Sequence, residues 1–256
     1  AVESVDQSPI GKTPRSNPVT YVKAFDGIRK RLALSPRARA AGIKAGFFSF
    51  NIPGGRCAAC DGTGSQTVEM HFLPDVVIPC EACGGSRFGN AALGIRYRGL
   101  NVAEILALTV DEARRFFEDA PDVAGRLEIL AETGLGYLRL GQSAPTLSGG
   151  ESQRLKLAAH LGVRKRGRRV FLLDEPTTGL HLHDLGVLLR VLDRLVDEGH
   201  TVVVVEHHLE LVRAADWVID LGPGGGPEGG RIVAQGTPAT VARSDGHTGR
   251  YLGTCL

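Results

Sequence analysis

Four cysteines constrain this chain more than any other feature. They form two pairs, Cys57-x-x-Cys60 and Cys80-x-x-Cys83, with residues 61–79 between them. Each C-x-x-C makes a turn that aims two sulfurs at one point, and two such pairs close a tetrahedral shell around Zn²⁺. Gly62, Gly64, Gly84 and Gly85 flank the pairs and permit the tight backbone this requires. The alternative uses of the same spacing are redox pairs or free thiols. His71 lies between the pairs and could substitute as a ligand, but since four cysteines already suffice it reads as a surface or contact residue. A Cys₄ shell leaves no open position for water, so the metal is expected to be structural, and a module this small needs the ion to fold. Cys255 stands unpaired near the end and reads as an incidental thiol. Pairing of this kind suits a reducing compartment, and a cytoplasmic location is expected.

The rest of the chain supplies the frame. At 256 residues it holds one large or two modest domains. The net charge of +2 is too small to argue a nucleic-acid partner by itself. No apolar run reaches membrane length. Apolar residues at helical spacing (Tyr21, Ala24, Phe25, Ile28, Leu32) predict a helix over Val19–Leu34, with a short one over Pro36–Ala41. Residues 47–98 hold the cysteines and two β-leaning segments, Thr67–Phe72 and Val76–Ile78, and read as an inserted module. Helices are expected over Val102–Leu106, over Val110–Glu118 with Thr109 as N-cap, over Val123–Thr133 ended by Gly134, and over residues 148–162. A strand Val170–Leu173, a helix over about residues 184–198 and a buried strand Thr201–Val205 follow, and strand, helix, strand within residues 170–221 argues an α/β layer with a parallel sheet. Trp217–Leu221 reads as a third strand and Arg231–Gln235 as an edge strand. Val2 and Val5 read like the tail of a strand with nothing before it to pair with, which is consistent equally with a fragment and with a short exposed terminus.

Three stretches carry nucleotide chemistry. In TLSGGESQRLKLAAHL, residues 146–161, Ser148, Gly149 and Gly150 open a helix whose first amides and dipole favour a phosphate; a plain serine N-cap is the simpler reading of that triplet alone. In VFLLDE, residues 170–175, an apolar strand ends in two carboxylates. Asp174 there would hold Mg²⁺ through water, and Glu175 would act as general base on the attacking water. VVVVEHHLE places Glu206 and His207 after a second strand, at the carboxyl end where α/β sheets bind ligands. Gly11-Lys12-Thr13 imitates the end of a phosphate-binding loop, but Asp6 stands where that loop needs a glycine and Pro9 removes an amide.

In this order the motifs resemble the ATP-binding cassette ATPases, with LSGGESQR similar to their signature sequence, LLDEPTTGL to Walker B plus D-loop, and His207 to the switch histidine. The match is closest to the UvrA branch of bacterial nucleotide excision repair, through DQSPIGKTPRSNP, FSFNIPGGRCAAC, LGQSAPTLSGGESQRLKLA, LDEPTTGLHLHD and ADWVIDLGPGGG, and it spans residues 5 to about 238. The resemblance implies a partial cassette ATPase core of α/β class, with a parallel sheet, a helical signature subdomain and a small inserted zinc module. It divides the chain into the end of a core strand and Q-loop (1–18), the helical start of the signature subdomain (19–46), the zinc module (47–98), the rest of that subdomain (99–145) and the signature helix, Walker B, D-loop and switch part of the core (146–256). Gln7 would be the Q-loop glutamine near Mg²⁺ and the attacking water. Ser148, Gly149 and Gly150, positioned with the help of Gln153 and Arg154, would cap ATP held by another cassette half. The Walker A loop is expected before residue 1, so this chain by itself is expected to bind ATP weakly and to hydrolyse it negligibly.

The implied partners are damaged double-stranded DNA, a UvrB-like protein reached through regions outside this chain, and a second copy of the full protein. Arg56, Arg87, Arg96 and Arg98 in the zinc module, Arg29–Arg31, Arg37, Arg39 and Lys44 before it, and the basic runs Arg164–Arg166 and Arg168–Arg169 are candidate phosphate contacts or simply solvated faces. Two alternatives share some of these features. One is a UvrA-like paralogue serving drug resistance. The other is a DnaJ-like zinc chaperone module, since Cys57-Ala-Ala-Cys60-Asp-Gly62-Thr-Gly64 matches one C-x-x-C-x-G-x-G unit.

Overall fold

The computed structural model describes residues 1–70, 72, 76–162, 167–178, 180, 182–224 and 229–255, with the backbone alone for 182–184. The chain divides into two compact units, one made of Ala1–Asp6 with Arg168–Leu256 and the other of Gln7–Gly167.

In the first unit the strands Val2–Val5, Val170–Asp174 and Thr201–Val205 form a parallel sheet with Val170–Asp174 in the centre. The opening strand therefore does have a partner, supplied from 168 residues later (170 − 2) by the pairing of Val2 with Val170. The helix Leu182–Asp197 links the two later strands, as parallel pairing requires. Its Leu185, Leu188, Val191, Leu192 and Leu195 are buried, the i, i+3, i+4 stripe expected of a helix laid on a sheet.

Among the described residues only one face of that sheet is covered. Phe171 and Leu173 are buried, while Leu172, Val203 and Val205, which alternate with the covered positions, are 40%, 47% and 62% exposed. The four-valine run of Thr201–Val205 reads as a fully buried strand; instead it alternates, because the helix shields a single face. The third strand also departs from expectation. Val218–Gly222 pairs antiparallel with Arg231–Gly236 in a separate two-stranded sheet, so within the described residues it does not extend the parallel one.

The second unit is helical around one core. Ala24–Ala33, Val110–Phe116, Pro121–Glu132 and Gly149–Leu161 contribute Ile28, Leu32, Val110, Leu127, Leu130 and Leu155 to it. The helix expected over Val19–Leu34 is broken into Pro18–Tyr21 and Ala24–Ala33, because Lys23 turns to a left-handed φ of 61° between them. Asn101 with Glu104 and Thr109 with Glu112 form capping boxes that satisfy the first amides of their helices.

The cysteine module hangs from this core by aromatic contacts. Phe50 stacks on Phe25 with ring centroids 5.4 Å apart and meets Phe88 edge-on at 6.2 Å, all three rings buried. The guanidinium of Arg87 lies 5.5 Å above the Phe50 ring. The hairpin Ser65–Val68 and Val76–Pro79 projects between the cysteine pairs, with Val68, Val76 and Val77 exposed.

Candidate functional site

The acidic pair and the histidine meet at the carboxyl ends of two neighbouring parallel strands. Asp174 is the last residue of its strand and lies opposite Val205, the last of the next. Glu175 follows at a left-handed φ of 41°, and its amide donates to the Val205 carbonyl at 2.9 Å. That turn brings Glu175 Oε1 to 4.0 Å from His207 Nδ1. Both side chains are open to solvent, at 51% and 82% exposure. A carboxylate and an imidazole so placed can take up and relay a proton from a water held between them.

Beneath them sits a group that sequence reading noted only for its position. The Glu206 side chain is 3% exposed and accepts from the amides of Thr177 (3.0 Å), His207 (2.7 Å) and His208 (3.0 Å), and from the Thr177 hydroxyl. Burial pushes its pKa up, but the bonds from Thr177, His208 and His207 outweigh that and hold it below the ordinary glutamate value. An acid directly after an apolar strand was the available signal; nothing in the sequence tells its inward direction from that of Glu175.

The signature residues lie in the helical unit. Ser148 caps the helix Gly149–Leu161: its hydroxyl accepts from the Glu151 amide at 3.2 Å, and Glu151 accepts from the Ser148 amide at 2.7 Å. The Tyr137 hydroxyl donates to the other oxygen of Glu151 at 2.7 Å. Gln7 is brought to the same place, since a Cβ on Gly149 would stand 2.9 Å from Gln7 Oε1. A side chain at position 149 would therefore require the Gln7 side chain to shift. Gln153 and Arg154 are buried in the helix's inner face, at 1% and 6% exposure, which suits holding the loop better than touching a ligand. Gly11-Lys12-Thr13 leads into a turn closed by Ser16 and Thr13, and the first helix begins only at Pro18, so no helix N-terminus backs that tripeptide as phosphate binding requires.

The four thiols converge. The sulfurs of Cys57, Cys60, Cys80 and Cys83 all lie within 4.8 Å of one another. A tetrahedron of Zn–S bonds of about 2.3 Å has edges of about 3.8 Å, and the Cys60 and Cys83 sulfurs are 3.8 Å apart. The donor set and its size fit Zn²⁺. Burial opposes ionisation of Cys60, but the amides of Gly64 and Gly62 and the neighbouring thiols donate to it and bring its pKa to about 7. Cys83, only half-buried, is raised to about 11 by desolvation and by donating to its neighbours Cys60 and Cys80. His71 lies outside the described residues.

No family model matches the chain. Among curated proteins it is 57% identical over 252 residues to UvrABC system protein A of Aquifex aeolicus (strain VF5), covering 98% of this chain and 27% of that one. To the Thermus thermophilus protein of the same name the identity is 55% over 251 residues, covering 98% and 26%. Among solved structures it superposes on UvrA2 from Deinococcus radiodurans with a TM-score of 0.95 and 53% identity, over 100% of this chain and 31% of that one. Over nearly its whole length the chain is therefore similar to one segment of UvrA-type proteins. It spans about a quarter of the length of the curated UvrA relatives.

Six of the candidate phosphate contacts are engaged in ion pairs within the chain. Arg31 pairs with Asp122, Arg56 with Asp61, Arg96 with Glu104, Arg98 with Asp119 and Arg29 with Asp26. Arg169 pairs with Glu3. The simpler reading, charges solvating and latching their own surface, accounts for these six. Arg164–Arg166 lie outside the described residues. The relatives' names speak of the UvrABC system, and the DnaJ-like reading finds no support among them. No helix among the described residues is long and apolar enough to cross a membrane.

Proposed function

We propose that the chain is the signature, Walker B and switch portion of a UvrA-type DNA-damage-recognition ATPase of nucleotide excision repair. What carries this reading is the cluster of Asp174, Glu175 and His207 at the ends of adjacent parallel strands, in a segment more than half identical to UvrABC system protein A. In the proposed reaction Glu175 accepts a proton from water as the water oxygen bonds to the γ-phosphorus and the bridging P–O bond to ADP breaks. His207, on the neighbouring loop, donates to a γ-phosphate oxygen and stabilises the charge that develops there. Asp174 would hold Mg²⁺, whose contribution when bound is to neutralise phosphate charge. Ser148, Gly149 and Gly150 would cap a nucleotide whose amide cradle comes from another cassette half, with Gln7 beside them. Zn²⁺ between the four cysteines would serve as a crosslink that lets residues 47–98 present a fixed surface to duplex DNA, read through its shape and deformability. UvrB-like and self-association partners belong to this proposal for the whole protein.

ATP turnover by a complete UvrA-type protein carrying this segment tests the assignment. Glu175→Gln is expected to lower kcat at least about 100-fold while ATP still binds, and the 256-residue chain alone is expected to show no turnover. Unchanged kcat in the variant, or hydrolysis by the chain alone, would sink it.

A further inference from the structure

Glu175 and His207 ride on different loops. One follows the strand Val170–Asp174 and the other the strand Thr201–Val205. Both side chains are mostly exposed, so their 4.0 Å approach is not fixed by packing around them. Burying a carboxylate is unfavourable unless hydrogen bonds replace its water. Glu206 is nevertheless almost fully buried between these two loops, and each of its oxygens serves a different one. Oε1 accepts from the amide (3.0 Å) and hydroxyl of Thr177, two residues beyond Glu175. Oε2 accepts from the amides of His207 (2.7 Å) and His208 (3.0 Å). The bond from the Glu175 amide to Val205 ties the same loops at their base, so with Glu206 they are held at two separated points.

We infer that Glu206 is a positioning residue, whose carboxylate clamps the loop carrying Glu175 to the loop carrying His207 and so sets the separation of those two groups. This rests on the reading above that both act on the γ-phosphate. A bidentate acceptor is needed because the donors lie on opposite sides. Glutamine keeps the shape but turns one oxygen into a donor facing donors, so Glu206→Gln must release one loop. Thr177→Val loosens the clamp from the far side without touching charge.

The test has two readouts. In a complete UvrA-type protein, Glu206→Gln is expected to lower kcat by about 10- to 100-fold, as a displacement of about 1 Å at reacting groups does, with KM for ATP nearly unchanged. Hydrogen exchange is expected to quicken at least about tenfold at the amides of Thr177, His207 or His208 and to stay unchanged at Phe171 and Leu173 in the strand core. Wild-type kcat in Glu206→Gln would overturn the inference. So would equal acceleration at Phe171 and Leu173, which would mean general loosening. If Glu206→Gln does not fold, Thr177→Val is read by the same two criteria and is expected to give the smaller version of both changes. Full turnover in Glu175→Gln would overturn the assignment of Glu175 and the catalytic consequence with it, whereas local faster exchange in Glu206→Gln would still support the clamp.

Discussion

At the residue scale the chemistry is bought with backbone strain at one position. Glu175 sits at φ 41°, a conformation that costs a side-chain-bearing residue about 1–2 kcal/mol and that glycine adopts freely. A residue chosen for stability alone would be glycine; a carboxylate there implies that its place is worth the strain. Comparing two truncations isolates the effect, because each removes the same exposed side-chain contacts. The Glu175→Gly protein is expected to be more stable than the Glu175→Ala protein by about 1 kcal/mol, read from denaturant midpoints, and both should lack turnover. Equal stability would mean that the turn relaxes without cost. Sequence reading placed Glu175 and His207 on these two loops from an apolar strand followed by polar residues. It had no means of seeing the strain or the inward turn of Glu206, since both depend on how the two strand ends face each other and not on either motif.

At the element scale the cysteine module shows which glycines matter. Gly62 stands at φ 81°, and a Cβ there would lie 2.3 Å from the Phe50 carbonyl oxygen. Gly84 stands at φ 56° with nothing within 4 Å of the same atom. Both lie in a left-handed turn beside a cysteine, so they look alike in the sequence. Gly84→Ala should cost only the conformational penalty, about 1–2 kcal/mol, and keep the metal. Gly62→Ala adds a collision with backbone that anchors the module to Phe25 and Phe88, so zinc content per chain should fall well below one. Mass spectrometry under native conditions distinguishes them, and equal zinc retention would refute the steric argument. The helix stripes and the cysteine turns were legible because their spacing is local. The break at Lys23 and the antiparallel pairing of Val218–Gly222 with Arg231–Gly236 were not. The first overrides a continuous apolar pattern, and the second is decided by partners, on which a short, mostly apolar run is silent.

At the scale of the whole molecule the parallel sheet is half dressed. Phe171 and Leu173 are buried on one face, while Leu172, Val203 and Val205 leave an apolar row on the other. In the same unit Ile219, Leu221 and Ile232 on the hairpin are 57%, 62% and 58% exposed. Parallel sheets are ordinarily covered on both faces, because each strand is built to be apolar all round. Contiguous apolar surface of this kind drives association, and its driving force grows with area at about 25 cal/mol per Å². The chain by itself is therefore expected to self-associate at micromolar concentration, with the exposed valines as the contact. Threonine has nearly the shape and the strand preference of valine, so Val203→Thr with Val205→Thr should leave the sheet intact while wetting its open face. Light scattering behind size exclusion should show larger species for the unaltered chain and a shift toward monomer for the double variant, with unchanged circular dichroism. A monodisperse unaltered chain at that concentration, or association equally strong in the variant, would show that the open face is not what the molecule uses to find a partner.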